Sequence, residues 1–144
     1  MSARTLSVGA FLAFFLNVAW ENAQAYLYRG YEGFWQHLDD CTVAALGDIF
    51  LVGLVYLLLW LFTNDSQWIF TLTIPKAAGT VAAGVAIALV VEWGGLALGA
   101  WEYAAMPLIP RIGIGVTPVA QMAILPLVVF SVMYRVHRRQ TQIS

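Results

Sequence analysis

Charge is what this sequence has least of. Asp, Glu, Lys and Arg make up 10% of its 144 residues, where a soluble globular chain carries roughly 25%. That is too few to cover a water-facing surface. The net charge of −1 offers no basic field, so nucleic-acid binding has no electrostatic basis. A single cysteine, Cys41, excludes an internal disulfide framework, and no CxxC pair exists for redox chemistry. Two histidines, His37 and His137, are too few and too far apart for a bis-histidine haem between helices. No phosphate-binding P-loop, dinucleotide glycine motif, GxSxG or HExxH is present. Low-complexity tracts, internal repeats and long linkers are also missing.

What is abundant is apolar residue, 61% of the chain, which argues against disorder and for an integral membrane protein. The stretches between charges have spanning length. Thr5–Tyr28 holds one charge, Glu21; Cys41–Asn64 holds Asp48; Ala77–Trp101 holds Glu92; Ile112–Tyr134 holds none. A spanning helix needs about 20 mostly apolar residues. The sequence predicts an all-α, polytopic four-helix membrane bundle as a single domain over 1–144, with spans at about 6–28, 42–62, 77–98 and 117–134. Barrel strands are excluded because the apolar/polar alternation they need is absent.

Two segments fall outside the spans. Gln67–Pro75 is apolar but short, and is expected to lie in the interface with Trp68 at headgroup level. Trp101–Pro118 contains Pro107, Pro110, Pro118, Gly113 and Gly115, which oppose helix; its apolar side chains predict a segment folded back over the bundle as a cap. Ala23-Gln24-Ala25 has the form of a signal-peptide cleavage site, but the bulk and charge of Trp20-Glu21-Asn22 and the long apolar run favour a retained span. Arg4, Lys76, Arg135, Arg138 and Arg139 fall on one side, against Arg29 and Arg111 on the other. The expected topology is therefore N-in/C-in, with both termini cytoplasmic in the inner membrane of a bacterium.

The retained carboxylates are the main functional signal. Glu21, Asp48 and Glu92 each lie six or seven residues inside the outer end of a predicted span, about 10 Å deep at 1.5 Å per residue. An intramembrane carboxylate costs roughly 2.5–3.5 kcal/mol on insertion scales and normally faces the bundle interior or a wet cavity. Three at one level would repel, so a proton or a cation is expected among them. Asn17, Glu21, Gln24 and Tyr28 form one stripe of the first helix. Gln121 joins from the fourth. Gly84, Ala88, Glu92, Gly95 and Gly99 share a face of the third, for packing or for space beside Glu92. Trp20, Trp93, Trp101 and Tyr103 can wall an apolar ligand, or serve as interfacial belt residues. His37, Asp39, Asp40 and Cys41 are read as part of an outer loop. His37 and Asp40 are weak metal candidates, and neither a metal nor a cofactor is assigned. Each carboxylate can instead be structural, paired with Asn, Gln, Trp or Tyr donors.

Trp20-Glu21-Asn22-Ala23-Gln24, His37 with Asp40-Cys41, Gly47-Asp48, and Trp101-x-Tyr103 followed by Met106-Pro107, Pro110, Gly113-x-Gly115, Pro118 and Gln121 together resemble a group of small bacterial four-span membrane proteins. The resemblance covers nearly the whole chain and implies the fold but no activity. Fainter similarity exists to the membrane carotenoid (lycopene-type) cyclases and to the four-span sterol-isomerase and sigma-2-receptor-like family. Their intramembrane acids would match Glu21, Asp48 and Glu92; the cyclase Pro-x-Glu-Glu/Asp motif is absent.

Three functions follow as expectations. The first is an acid/base enzyme (isomerase, cyclase or hydratase) acting on an apolar isoprenoid, carotenoid or sterol. Glu21 and Glu92 would be acid and base, Asp48 would tune them, and Asn17, Trp20, Gln24, Trp93, Trp101, Tyr103 and Gln121 would bind substrate. The second is a module that binds or transports a proton, cation or amine, for which a protomer this short would need to oligomerise. The third is an accessory subunit of a larger membrane complex. The bilayer is the one partner common to all three.

Overall fold

The computed structural model describes residues 3–143; Ser2 and Ser144, the natural labelling positions for the expected cytoplasmic termini, lie outside them. Four helices account for the architecture: α1 (Ala3–Gln24), α2 (Phe34–Thr63), α3 (Ile74–Ala97) and α4 (Val116–Ile143). All four are long and apolar enough to cross a membrane. The helices form a ring in which α1 and α3 each pack against both α2 and α4. Outward faces carry Phe11, Phe15, Phe50, Phe62 and Val90, side chains suited to lipid rather than water. The chain is an all-α integral membrane four-helix bundle.

Local sequence explains most helix ends. Gly33, at φ 140°, precedes α2, and Asn64, left-handed at φ 51°, ends it. Thr73 precedes α3, and Pro75 stands in its first turn, where a missing N–H costs nothing. Three predicted boundaries change. The first span was drawn to Tyr28, but α1 stops at Gln24 and a short 3-10 turn (Ala25–Leu27) follows. The second was started at 42, but α2 begins at Phe34, so His37, Asp39, Asp40 and Cys41 are helical and not in a loop. At 30 residues α2 is about 45 Å long, longer than a hydrocarbon core of about 30 Å. Its first turns can therefore be polar and helical together. The fourth span, drawn to 134, continues to Ile143.

The hydrophobic core fills the half of the bundle nearest the termini: Val52, Val55 and Leu59 of α2, Ile87 of α3, Val129, Phe130 and Met133 of α4. Trp68 and Ile69 close it from the 3-10 turn Trp68–Thr71. This corrects the expected interfacial tryptophan: Trp68 is fully buried. Its ring meets Phe130 edge-on at 5.2 Å, and its indole N–H donates to the Tyr56 carbonyl at 3.2 Å. With its one polar atom satisfied, the side chain gains more from the core than from a headgroup layer.

Two close approaches set the helix packing. Pro126 lies inside α4 and cannot donate to the carbonyl four residues earlier, that of Met122. At that carbonyl α3 presents Gly84, where an added Cβ would stand 1.9 Å from the Met122 oxygen. Where α1 meets α4, a Cβ on Gly9 would stand 2.5 Å from Met133 Sδ. Small residues let membrane helices approach closely.

Candidate functional site

At the end of the bundle opposite the core, the apolar interior gives way to a polar layer. α1 contributes Asn17, Glu21 and Gln24, spaced to share a face; α2 contributes Asp48 and α4 contributes Gln121. Asn17, Gln24 and Gln121 are buried. Gln121 joins the helices, donating from Nε2 to Asn17 Oδ1 at 2.9 Å and to Asp48 Oδ2 at 2.8 Å. Its Oε1 accepts from Gln24 Nε2 at 3.1 Å, and the same Gln24 nitrogen donates to Glu21 Oε1 at 3.0 Å.

The polarity of this chain is determined from one end. Asn17 Nδ2 donates to the Ala13 carbonyl at 2.8 Å, an atom that can only accept. Asn17 Oδ1 must then face Gln121, the Gln121 NH₂ must face Asn17 and Asp48, and the Gln121 oxygen must face Gln24. Gln121 and Gln24 thus each direct a donor to a carboxyl group, Asp48 and Glu21 respectively. Among the described residues, Gln24 Oε1 is buried without a partner. A buried acceptor of this kind costs roughly 1–3 kcal/mol unless a donor reaches it.

Glu21 and Asp48 stand next to each other in this layer. Two carboxylates side by side repel, and a proton or a cation between them relieves that cost.

Glu92 stands apart from that pair. It is buried on α3 and accepts at Oε2 from the Trp101 indole N–H at 3.3 Å and from the Tyr103 hydroxyl in a short contact. Tyr103 in turn accepts from the Gly115 N–H at 2.9 Å. Among the described residues no hydrogen bond joins Glu92 to Glu21 or Asp48. The expected single cluster of three carboxylates is therefore two adjoining clusters. Equal depth on three helices sets a common level; the angular position of each helix decides which groups touch.

Tyr28 adjoins both. Past the end of α1 it pairs with Tyr103 in an isolated antiparallel bridge, the two rings 5.6 Å apart. Burial, reinforced by Glu92 and Glu21, pushes the Tyr28 phenol well above its ordinary range. Burial and the bond to Glu92 raise Tyr103 as well. Both remain neutral hydrogen-bond donors at physiological pH. In the sequence Tyr28 belongs to the polar stripe of the first helix, but its place in the site depends on Tyr103, 75 positions later.

The segment from Trp101 to Gly115 covers this end. It is tied to the chain after α1 by the bonds Arg29 N to Glu102 O (2.9 Å) and Ala104 N to Leu27 O (2.8 Å). Arg29 and Glu102 also form an exposed ion pair at 2.7 Å. A second bridge, Leu108 with Gly115, closes a tight turn in which Arg111 and Gly113 take positive φ. Met106 and Ile114 are buried beneath it, while Leu108 and Ile112 stay exposed. Gly95 makes room for Trp101: an added Cβ would sit 2.0 Å from the indole. Gly84 and Gly95 thus serve packing, whereas a Cβ added at Gly94 or Gly99 would meet nothing within 4 Å.

Other expected site residues fall differently. Trp20 is half-buried on α1. Trp93 is 68% exposed and faces outward, because neighbouring helix positions point about 100° apart and Glu92 takes the inward one; it does not wall the site. The His37 ring lies tilted against Tyr31, centroids 5.1 Å apart, and Asp40 is exposed. Among the described residues no three His, Cys, Asp or Glu side chains gather as a metal-binding group.

Fold and site together define an integral membrane four-helix bundle with a buried, carboxyl-containing polar layer at one end. No family model matches the chain, and neither a curated protein nor a solved structure matches it.

Proposed function

We propose that the polar layer is an acid/base site acting on an unsaturated, lipid-soluble molecule of the isoprenoid, carotenoid or sterol class. The observation that carries this reading is the pairing of two unlike carboxyl environments. Glu21 and Asp48 adjoin each other, a pair whose repulsion one shared proton relieves, while Glu92 is held separately by Tyr103 and Trp101. Transfer of a proton from the pair to one carbon of a C=C bond makes a C–H bond and leaves a cation on the neighbouring carbon. Glu92 removes a proton from an adjacent carbon, and that C–H electron pair becomes the new C=C bond. The pair loses one proton and Glu92 gains one; exchange with solvent at this end restores both. The rings of Tyr28, Tyr103 and Trp101 are suited to stabilise the cation. Opposed acid and base roles for carboxyl groups in unlike surroundings follow the general pattern. The apolar core of the other half favours a site that works from one side over a path across the membrane.

The test is solvent deuterium. Protein in nanodiscs of bacterial polar lipid, loaded with lycopene, geranylgeraniol or squalene, is incubated in D₂O and the lipids are analysed by mass spectrometry. Incorporation of non-exchangeable deuterium that disappears in Glu21→Gln and Glu92→Gln supports the reading. No incorporation into any of these or into the endogenous lipids overturns it.

A second reading rests on the unpartnered Gln24 oxygen. A buried acceptor in a layer that holds two carboxyl groups suits hydronium or a primary ammonium. Saturable binding of an alkylammonium without deuterium incorporation would favour this binding module. The role of accessory subunit gains no specific support. The excess of Lys and Arg on the side of the termini supports an inner-membrane location with both termini cytoplasmic.

A further inference from the structure

At the end of the bundle nearest the termini, the junction of α1 and α4 combines cations and an apolar groove on one flank. Arg135, Arg138 and Arg139 are exposed on α4. Together with Tyr134 and Gln142 they line a polar groove of about 390 Å³. A second, apolar groove of about 360 Å³ is lined by Ser7, Val8, Phe11 and Leu12 of α1 and Val132 of α4. The first is lined by α4 alone and the second by both helices, with Val132 as the α4 residue that connects them. Val132, Arg135 and Arg139 follow at i, i+3 and i+7 on α4, and Arg4, Val8 and Phe11 follow at i, i+4 and i+7 on α1, so each set shares a face. Register agrees: Thr5 Oγ1 donates to Gln140 Oε1 at 3.5 Å, which sets Arg4 level with Arg139, and Gly9 abuts Met133 one to two turns deeper.

Among the described residues no Asp or Glu forms an ion pair with these guanidinium groups. Residues 1–20 and 112–144 contain no Asp or Glu. Asp65, from the loop at the same end, is engaged by Lys76 at 3.3 Å. Among the described residues the only other ion pair is Arg29–Glu102, at the far end. His137 does not enter the site, because it stacks on Phe70 at 3.9 Å on another face of α4.

From this alignment we infer that the α1–α4 flank is a binding site for one anionic phospholipid, its phosphate on Arg135, Arg139 and Arg4 and one acyl chain along Val8, Phe11 and Val132. Arginine presents a planar set of donors that matches phosphate oxygens in pairs. Clustered basic residues beside a membrane helix attract anionic headgroups. A free phosphate would use the cations alone. The groove continuing from them into the membrane region selects a ligand with a chain attached. The lipid occupies the leaflet on the side of both termini.

Native mass spectrometry of the full chain, purified in a neutral detergent and titrated with phosphatidylglycerol or phosphatidylcholine of matched chains, tests this. The expected result is one retained phosphatidylglycerol, preferred at least tenfold over phosphatidylcholine. Arg135→Gln with Arg139→Gln should bring the preference below twofold, and Arg111→Gln should leave it unchanged. Val8→Trp, which fills the groove while keeping every cation, should lower retention of phosphatidylglycerol at least fivefold. Glycerol 1-phosphate at equal concentration should not displace the lipid. Equal retention of both lipids, a preference that survives the double substitution, or displacement by glycerol 1-phosphate would overturn the assignment. The thermal unfolding midpoint of each variant, measured in parallel, separates loss of the site from loss of the fold, and a folded variant that keeps the preference counts against the proposal.

Discussion

Gln121 is the side chain on which the polar layer depends most. It is 2% exposed and makes three side-chain hydrogen bonds, to Gln24, Asn17 and Asp48. Gln121→Leu keeps a side chain of similar bulk and removes all three. Hydrogen bonds between membrane helices contribute about 0.6 kcal/mol on average and about 1.7 at most, so the bonds alone account for about 2 kcal/mol. Asn17 Oδ1 and Asp48 Oδ2 then lose their Gln121 donor in a buried layer, and an unsatisfied polar group costs about 1–3 kcal/mol. Water entering beside them offsets part of that. The expected destabilisation is about 2–4 kcal/mol, measured by reversible unfolding in mixed detergent–SDS micelles. Asn17→Ala should couple to Gln121→Leu in a double-mutant cycle by about 0.6–1.7 kcal/mol. A Gln121→Leu protein within about 0.5 kcal/mol of wild type, less than one average membrane hydrogen bond, or a coupling indistinguishable from zero, would refute the network as described.

Three further outcomes are expected. Gly84→Ala should destabilise by about 1–3 kcal/mol through overpacking, because the new Cβ meets backbone at Met122; Gly9→Ala, which meets only the flexible Met133 side chain, should cost less in the same unfolding assay. Asp65 is held below its ordinary carboxylate range, first by the Gln67 N–H and then by Lys76. Its contribution is therefore present above the unfolded value of about 3.9 and lost as pH falls through the lower folded value. Wild type should show an extra fall in stability below about pH 4 that Asp65→Asn lacks; identical profiles would contradict this. For topology, Ser66→Cys should react with an impermeant thiol reagent only after the cells are opened, and Arg111→Cys in intact cells, with Cys41 silent because it is buried. Labelling of Ser66→Cys from outside would reverse the orientation.

Composition and spacing alone determined that this chain has four membrane helices. Burial of about 20 apolar residues is a local property of each segment, independent of its neighbours. The depth of Glu21, Asp48 and Glu92 was legible for the same reason, since rise per residue is constant along a helix. The inward stripe of α1 followed from helical periodicity. The start of α2 was not legible, because Phe34–Asp40 extends beyond the hydrocarbon, where hydropathy no longer reports helix. Trp68 looked interfacial, because nothing near it in sequence indicates that Phe130 and Tyr56 enclose it. Only the tertiary structure decided that Glu21 meets Asp48 while Glu92 turns to Trp101 and Tyr103, that Gln121 joins the layer, and that Trp93 faces outward. Those outcomes depend on how each helix is rotated against its neighbours. That rotation is decided by close contacts such as Gly84 at Met122 and Gly9 at Met133, which join residues far apart in the chain and leave no periodic mark in it.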